Sequence, residues 1–491
     1  MNKPIRRVFY VVVALFALLL FYTARWTVFD ARSLNQNALN KIPAQKNAKK
    51  PRGAIYAAGG RTLARSTKRA SGEYVRRYPT GELFAHPVGY SYAFYGQSGL
   101  EKYWNEKLTG ESRSTLSVID QILGRGGEEQ NMVTNLDVGA QRVAEQQMAG
   151  LKGAVVVIDP STGRIPVYLS RPSYDPQQMN TAAGVSALNA DEKNAPLFDR
   201  VSKATYPPGS TFKVVTATAA LDTGVMSTTS TVDGNSPQTF ASKPLKNDFN
   251  QQFGPTDLET ALTYSVNTAF GNIGVELGKS RLLEYMKRYG FYAPPPVDLP
   301  VGELSASGLR SGASLLPSDA NIDLARTAIG QERLLVTPIQ MAEVAATVAN
   351  GGVRMEPRLA RMFRDEYGRT TFNISPKRAT RVMKPKTAQQ LNEMMRKVVE
   401  EGTGSAANVG NLKMAGKTGT AELSNGLNQA WFIGFAPYDD PKYAVAVSIQ
   451  DSPVGGESRS DRPRRCCSIC FEINERTAPR QGAGPARPIG I

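Results

Sequence analysis

The chain has one histidine, His86, and no cysteine before Cys466. A Ser-His-Asp triad or a multi-histidine metal site therefore has almost nothing to be built from. Long runs of one charge are missing as well, and charged residues make up only 21% of the chain, so it is not disordered overall. Apolar residues reach 41% without a series of long hydrophobic runs, which excludes a polytopic membrane protein. With 491 residues there is material for two or three domains and a large core. The formal net charge of +16 raises the question of nucleic acid. No zinc-finger spacing or RNA-binding aromatic signature accompanies it, and much of the excess sits in the first 80 residues and the C-terminal tail. A basic surface facing an anionic membrane or wall explains the charge, and no nucleic-acid partner is expected.

The one long apolar run is N-terminal. Lys3, Arg6 and Arg7 precede Val8–Ala24, whose helical length of about 25 Å is near the lower limit for a membrane span. Basic residues stay on the cytoplasmic side, so the expected topology is a tail at 1–7, an anchor at 8–26 and the remainder outside. Tyr22 and Trp26 suit the outer interface. A cleaved signal peptide is the competing reading, but no small-x-small site precedes Arg25 and Trp26, which favours an uncleaved anchor. A chain free of cysteine up to residue 465 fits an extracytoplasmic protein that folds without disulfides.

A polar stalk is expected at 27–51 and a region of short strands and turns at 52–150, followed by a larger unit at 151–456. That unit opens on a hairpin: the apolar run 153–159, the turn Pro160-Ser-Thr-Gly163 and a second strand. Thr256-Asp-Leu-Glu259 has capping-box spacing. Leu391, Met394, Met395, Val398 and Val399 form one helical stripe, read as core packing. Strands at 430–436 and 443–449 close the unit. Hairpin first, helices in the middle and strands last predict a sheet flanked by helices.

Three short motifs carry chemistry. In Tyr206-Pro-Pro-Gly-Ser-Thr-Phe-Lys213 a stiff turn leads into an apolar helical run, so Ser210 and Lys213 fall on one helical face. A serine hydroxyl needs a base, and lysine is the available one. Burial, the positive helix end and a second cation would each favour its neutral form. Taken alone, the spacing also suits a capping serine and a solvated lysine. Tyr264-Ser-Val-Asn-Thr268 sets a hydroxyl and an amide two residues apart, although a turn between two helices is the default for such a segment. Ala415-Gly-Lys-Thr-Gly-Thr-Ala421 is not a phosphate loop, because five residues rather than four separate Gly410 from Gly416 and the segment leads toward a strand. Lys417 with two threonine hydroxyls suits a carboxylate, with Gly419 admitting a substrate backbone.

Together and in this order, Ser-x-x-Lys, Ser-x-Asn and Lys-Thr-Gly resemble the signature of penicillin-binding proteins and class A β-lactamases. The chain is most similar to the class B, monofunctional penicillin-binding proteins, and within them to an actinobacterial subgroup. Further likeness lies in 152–176, in Ile329-Gly-Gln331, in Asn350-Gly-Gly352 and in Ala430-Trp-Phe432.

The resemblance implies a transpeptidase domain of α/β sandwich type, an antiparallel sheet flanked by helices, behind a mainly β pedestal and one membrane helix. It implies that Ser210 attacks the D-Ala-D-Ala carbonyl of a peptidoglycan stem peptide, with Lys213 taking its proton and Ser265 protonating the leaving amine. Asn267 would hold the substrate backbone, Lys417, Thr418 and Thr420 its carboxylate, and the N–H groups of Ser210 and Thr420 the oxyanion. β-Lactams would acylate Ser210. No cofactor or metal is implied. The span before the catalytic unit is too short for a glycosyltransferase, so a polytopic membrane polymerase is the implied partner. A D,D-carboxypeptidase or endopeptidase, and a silent sensor or scaffold, are the alternatives.

Two departures stand out. Pro166 occupies an expected strand position, which predicts an interrupted or edge-like strand. Residues 457–491 carry seven Arg, four Pro and all three Cys (Cys466, Cys467, Cys470) without helical period. The cysteines lack a fourth nearby ligand for zinc. A reading-frame shift near residue 457 accounts for such a tail, and loss of a covering helix would then leave sheet surface exposed.

Overall fold

The computed structural model describes residues 3–25, 49–110, 129–408, 412–422 and 428–450. Trp26, most of the expected stalk and the 457–491 tail with its three cysteines lie outside these residues. Helix α1 (Lys3–Ala24) is exposed, and its 21-residue stretch Lys3–Thr23, with an 18-residue window of mean hydropathy 2.0, is long and apolar enough to cross a membrane.

Along the chain follow β1 (Ile55–Tyr56), β2 (Thr62–Lys68), β3 (Tyr74–Arg77), β4 (Asn131–Thr134) and α2 (Val138–Gln147). The catalytic part comprises β5 (Lys152–Ile158), β6 (Val167–Arg171), α3 (Lys213–Thr223), α4 (Leu258–Thr263), α5 (Asn267–Arg288), α6 (Pro338–Ala349), β7 (Ala360–Arg364), β8 (Thr370–Asn373), α7 (Pro385–Glu400), β9 (Ala415–Glu422), β10 (Asn428–Ala436) and β11 (Tyr443–Gln450).

The N-terminal sheet runs β8-β7-β4-β1-β2-β3, so two of its six strands return from more than 200 residues later in the chain. Its interior holds a buried ion cluster: Glu101 accepts from Arg52 Nε at 2.5 Å and from Arg76 Nε at 2.6 Å. These two guanidiniums hold the Glu101 carboxyl below its usual range against the opposing effect of burial.

The catalytic sheet runs β9-β10-β11-β5-β6, antiparallel throughout. Side chains alternate between its two faces. Val156, Ile158, Ile433 and Ala446 join the helical core that contains α3, α5 and α6, while Val155, Val157, Val445 and Val447 join a second cluster with Ala140, Ala144 and Met148. The expected hairpin is β5-β6, and β6 starts one residue after Pro166 and forms the sheet edge. The apolar stripe of α7 is buried in full.

Three expectations differ from the fold. Thr256 pairs in a short strand, and Asp257 caps α4 through the Thr260 N–H at 2.7 Å, one residue later than the capping box predicts. The region at 52–150, read as short strands and turns, contains α2, ten residues long and capped by Asp137 at 2.8 Å. The second sheet face is not exposed, since Val155, Val157, Val445 and Val447 are all fully buried.

Glu343 in α6 is 2% exposed; one oxygen meets Arg354 at 3.3 Å and the other has no partner among the described residues. Burial, only partly offset by Arg354, pushes its carboxyl up to about 7. A folded-state value above the unfolded one means that ionisation opposes folding. Stability is then lost as pH rises from about 4.5 through 7, by on the order of 3 kcal/mol. Urea unfolding should show wild type losing about this much relative to Glu343→Gln between pH 5 and pH 8; parallel pH profiles would contradict it.

Candidate active site

The serine sits where the chain has little freedom. Tyr206 exchanges backbone hydrogen bonds with Val336, and the buried Trp431 indole N–H donates to the Pro207 carbonyl at 3.0 Å. Gly209 N–H donates to the Gly330 carbonyl at 2.9 Å. A 3₁₀ turn at Gly209–Phe212 then delivers Lys213 as the first residue of α3. At three residues per turn, Ser210 and Lys213 share a face, as the spacing predicts. The serine caps neither helical segment with its side chain, and the lysine is 0% exposed, so the capping-serine, solvated-lysine arrangement is not what forms.

Lys213 Nζ donates to the Ser265 carbonyl at 2.6 Å, to Ser265 Oγ at 3.1 Å and to Asn267 Oδ1 at 2.7 Å. No hydrogen bond joins it to Ser210 Oγ among the described residues, so the amine is seated on the second motif. Ser265 lies between α4 and α5 in the left-handed region, φ 60°, a conformation that a non-glycine residue holds only when its surroundings enforce it. Asn267 opens α5, and its Nδ2 donates to the Lys246 carbonyl at 3.0 Å. The motif is thus the expected interhelical turn, yet both its polar side chains converge on one amine. Burial first, and then the charge of Lys417, hold the Lys213 amine well below its ordinary range, with Asp248 opposing.

The third motif lies within β9 itself, not ahead of a strand. β9 is the edge strand beside the serine turn, with Lys417 opposite Ile433 and Thr420 opposite Ala430 in register. Lys417 is fully buried and donates to the Thr418 carbonyl at 3.1 Å; the Thr418 hydroxyl meets that of Thr403 at 2.8 Å.

Gly419 packs closely against the serine turn. A Cβ there would meet the Pro208 carbonyl and the Thr211 methyl at 2.9 Å. The missing side chain makes room for the serine turn. A Cβ on Gly209 would likewise meet the Thr420 carbonyl at 2.6 Å, so the backbones bearing Ser210 and Thr420 lie side by side. Sequence reasoning gave no role to Gly330, Thr403 or Asn247. Gly330 had one signal, the likeness around Ile329-Gly-Gln331, which names a segment without its contact, and Thr403 and Asn247 had none.

Residues 153–464 match the penicillin binding protein transpeptidase domain, and residues 52–131 match the penicillin binding protein A dimerisation domain. The chain is 32% identical to the peptidoglycan D,D-transpeptidase PbpA of Mycolicibacterium smegmatis, over 94% of this chain and 95% of that protein. It is 33% identical to the protein of that name from Mycobacterium tuberculosis, over 92% and 94%. Among solved structures, the D,D-transpeptidase domain from Eggerthella lenta superposes with a TM-score of 0.75 at 31% identity, covering 88% of this chain and all of that one. The penicillin G acyl-enzyme of M. tuberculosis penicillin-binding protein A gives 0.76 at 29% identity, covering 87% and 99%. With these matches laid over a buried lysine that gathers two motifs beside a third, the chain belongs to the class B penicillin-binding protein transpeptidases.

Proposed function

We propose that this protein is a membrane-anchored peptidoglycan D,D-transpeptidase that works through an acyl-Ser210 intermediate and is acylated by penicillin at the same atom. The observation that carries the reading is Lys213: a fully buried amine, disfavoured as a cation, one 3₁₀ turn from the serine.

In the first half-reaction the Lys213 amine takes the Ser210 proton as Oγ attacks the carbonyl between the two D-alanines. The N–H groups of Ser210 and Thr420 receive the oxyanion, which the contact between Gly209 and the Thr420 carbonyl supports. Ser265 relays the proton to the departing D-alanine amine. Asn267 holds the peptide backbone, and Lys417, Thr418 and Thr420 bind the terminal carboxylate. An amine from a neighbouring strand then takes the acyl group. The open edge of β9 suits an extended peptide added as a further strand. The penicillin G and PbpA relatives support the acyl-enzyme and the substrate class. On this reading α1 keeps its basic end in the cytoplasm and the catalytic part outside, and a polytopic polymerase supplies the glycan strands.

Fluorescent penicillin tests the assignment. Wild type is expected to be labelled covalently and Ser210→Ala not at all. Undiminished labelling of Ser210→Ala would overturn the nucleophile assignment.

A further inference from the structure

The acyl-enzyme is resolved by an amine, and at neutral pH free amines are ammonium ions. By microscopic reversibility the attacking amine occupies the place from which the D-alanine amine departed, next to Ser265 and Lys213. One wall of that place belongs to none of the three motifs. The segment 246–250 is tied to the start of α5: the Lys246 carbonyl accepts from Asn267 Nδ2 at 3.0 Å, and the buried Asn247 side chain accepts from Thr268 N and Oγ1, both at 3.0 Å. Asn247 is anchored on its other side by bonds to the Gly234 and Gln251 carbonyls, each 2.9 Å.

So held, the segment projects its next two side chains outward. Phe249 is 82% exposed and sits at φ 55°, a left-handed conformation unusual for an aromatic residue. Asp248 is an exposed carboxylate close enough to influence the Lys213 amine. A segment tied to the start of α5, which presents an acid able to bias the Lys213 amine and, next to it in the chain, a bare aromatic ring, has the chemistry of a cation acceptor.

Resting on the transpeptidase reading, we propose that Asp248 and Phe249 form the acceptor subsite, which binds the ammonium-bearing side chain of the second stem peptide and positions its nitrogen for attack on the acyl-Ser210 ester. The ammonium first gives up one proton. The neutral nitrogen then attacks the ester carbonyl, the bond from carbonyl carbon to Ser210 Oγ breaks, and the proton shed by the attacking nitrogen passes through the Lys213 amine to Oγ. The net products are an amide, free serine and one proton released.

The partition of the acyl-enzyme between amine and water isolates this step, because both products arise from one intermediate and changes in acylation cancel. The experiment uses the full chain in detergent, a peptide donor ending in D-Ala-D-Ala and a lysine-terminated acceptor peptide. Asp248→Asn should lower the amide-to-hydrolysis ratio roughly three- to fivefold, the strength of an exposed ion pair. Rising salt should lower the ratio in wild type and leave it flat in the variant, while Asp248→Glu should restore it. Phe249→Ala should lower the ratio at all salt concentrations. An unchanged ratio and salt response in Asp248→Asn overturns the subsite, whereas a wild type that only hydrolyses sinks the transpeptidase reading beneath it. Failure of penicillin to acylate wild type would likewise sink the underlying reading, so the two failures are distinguishable.

Discussion

Replacing Lys213 by arginine should slow penicillin acylation about as deeply as replacing it by alanine, by roughly 10²- to 10⁴-fold. Arginine keeps the positive charge and much of the length but does not lose its proton in the accessible range. If Lys213 acted through charge alone, arginine would retain most of the rate. The structure argues for the amine as base: it is fully buried, and burial together with Lys417 disfavours the cation. The sign of the pH dependence follows. Acylation should rise as pH increases through the depressed Lys213 value and level off above it. Removing the neighbouring cation with Lys417→Met relieves part of the depression, so the rising limb should move to higher pH. Removing the opposing carboxylate with Asp248→Asn should move it to lower pH. Stopped-flow acylation with a fluorescent penicillin measures both limbs. An arginine variant within tenfold of wild type, or limbs that move in the opposite directions, would defeat the assignment.

What was legible in the sequence was local. The β5-β6 hairpin, the buried stripe of α7 and the paired late strands follow from apolar period and turn residues, and each formed where expected. Pro166 correctly marked the limit of β6 because a missing N–H acts at its own position. The errors were also local in kind. Thr256 and Asp257 are both good caps and both pair in the same short strand, and Asp257 does the capping because α4 begins at the very next residue, Leu258. Helix α2 was missed because its apolar positions, Val138, Ala140, Val143 and Ala144, are few and small among Gln, Glu and Arg, a weak stripe.

Nothing local predicts that β7 and β8 complete the N-terminal sheet, since such pairing is set by partners far along the chain. The candidate site shows the same division. Motif spacing pointed to these groups, but it did not reveal that Lys213 bonds to Ser265 and Asn267 rather than to Ser210. That contact depends on how α3 packs beside the start of α5, which no spacing encodes.

Gly330 shows what such packing contributes, and Gly330→Ala should lower the acylation rate about 100-fold in a protein that still folds. Gly330 touches no proposed substrate position. It lies at φ 77°, in the left-handed region, and its carbonyl accepts the Gly209 N–H at 2.9 Å. An added Cβ would come within 2.1 Å of the Gly209 carbonyl oxygen and 2.9 Å of its nitrogen, both backbone atoms of the residue before the nucleophile. Backbone cannot rotate aside as a side-chain tip can, so the serine turn must move. It cannot retreat toward β9, because Gly419 already admits Pro208 and Thr211 with no spare space. The left-handed conformation adds about 1–2 kcal/mol for a residue with a Cβ, and overpacking a similar amount. A shift of about 1 Å in a reacting group is enough for a 100-fold loss. Thermal unfolding and acylation kinetics together read the outcome: a melting point lowered by several degrees with acylation down about 100-fold supports the wedge. A variant that acylates within twofold of wild type would show that the Gly209–Gly330 contact does not set the position of Ser210.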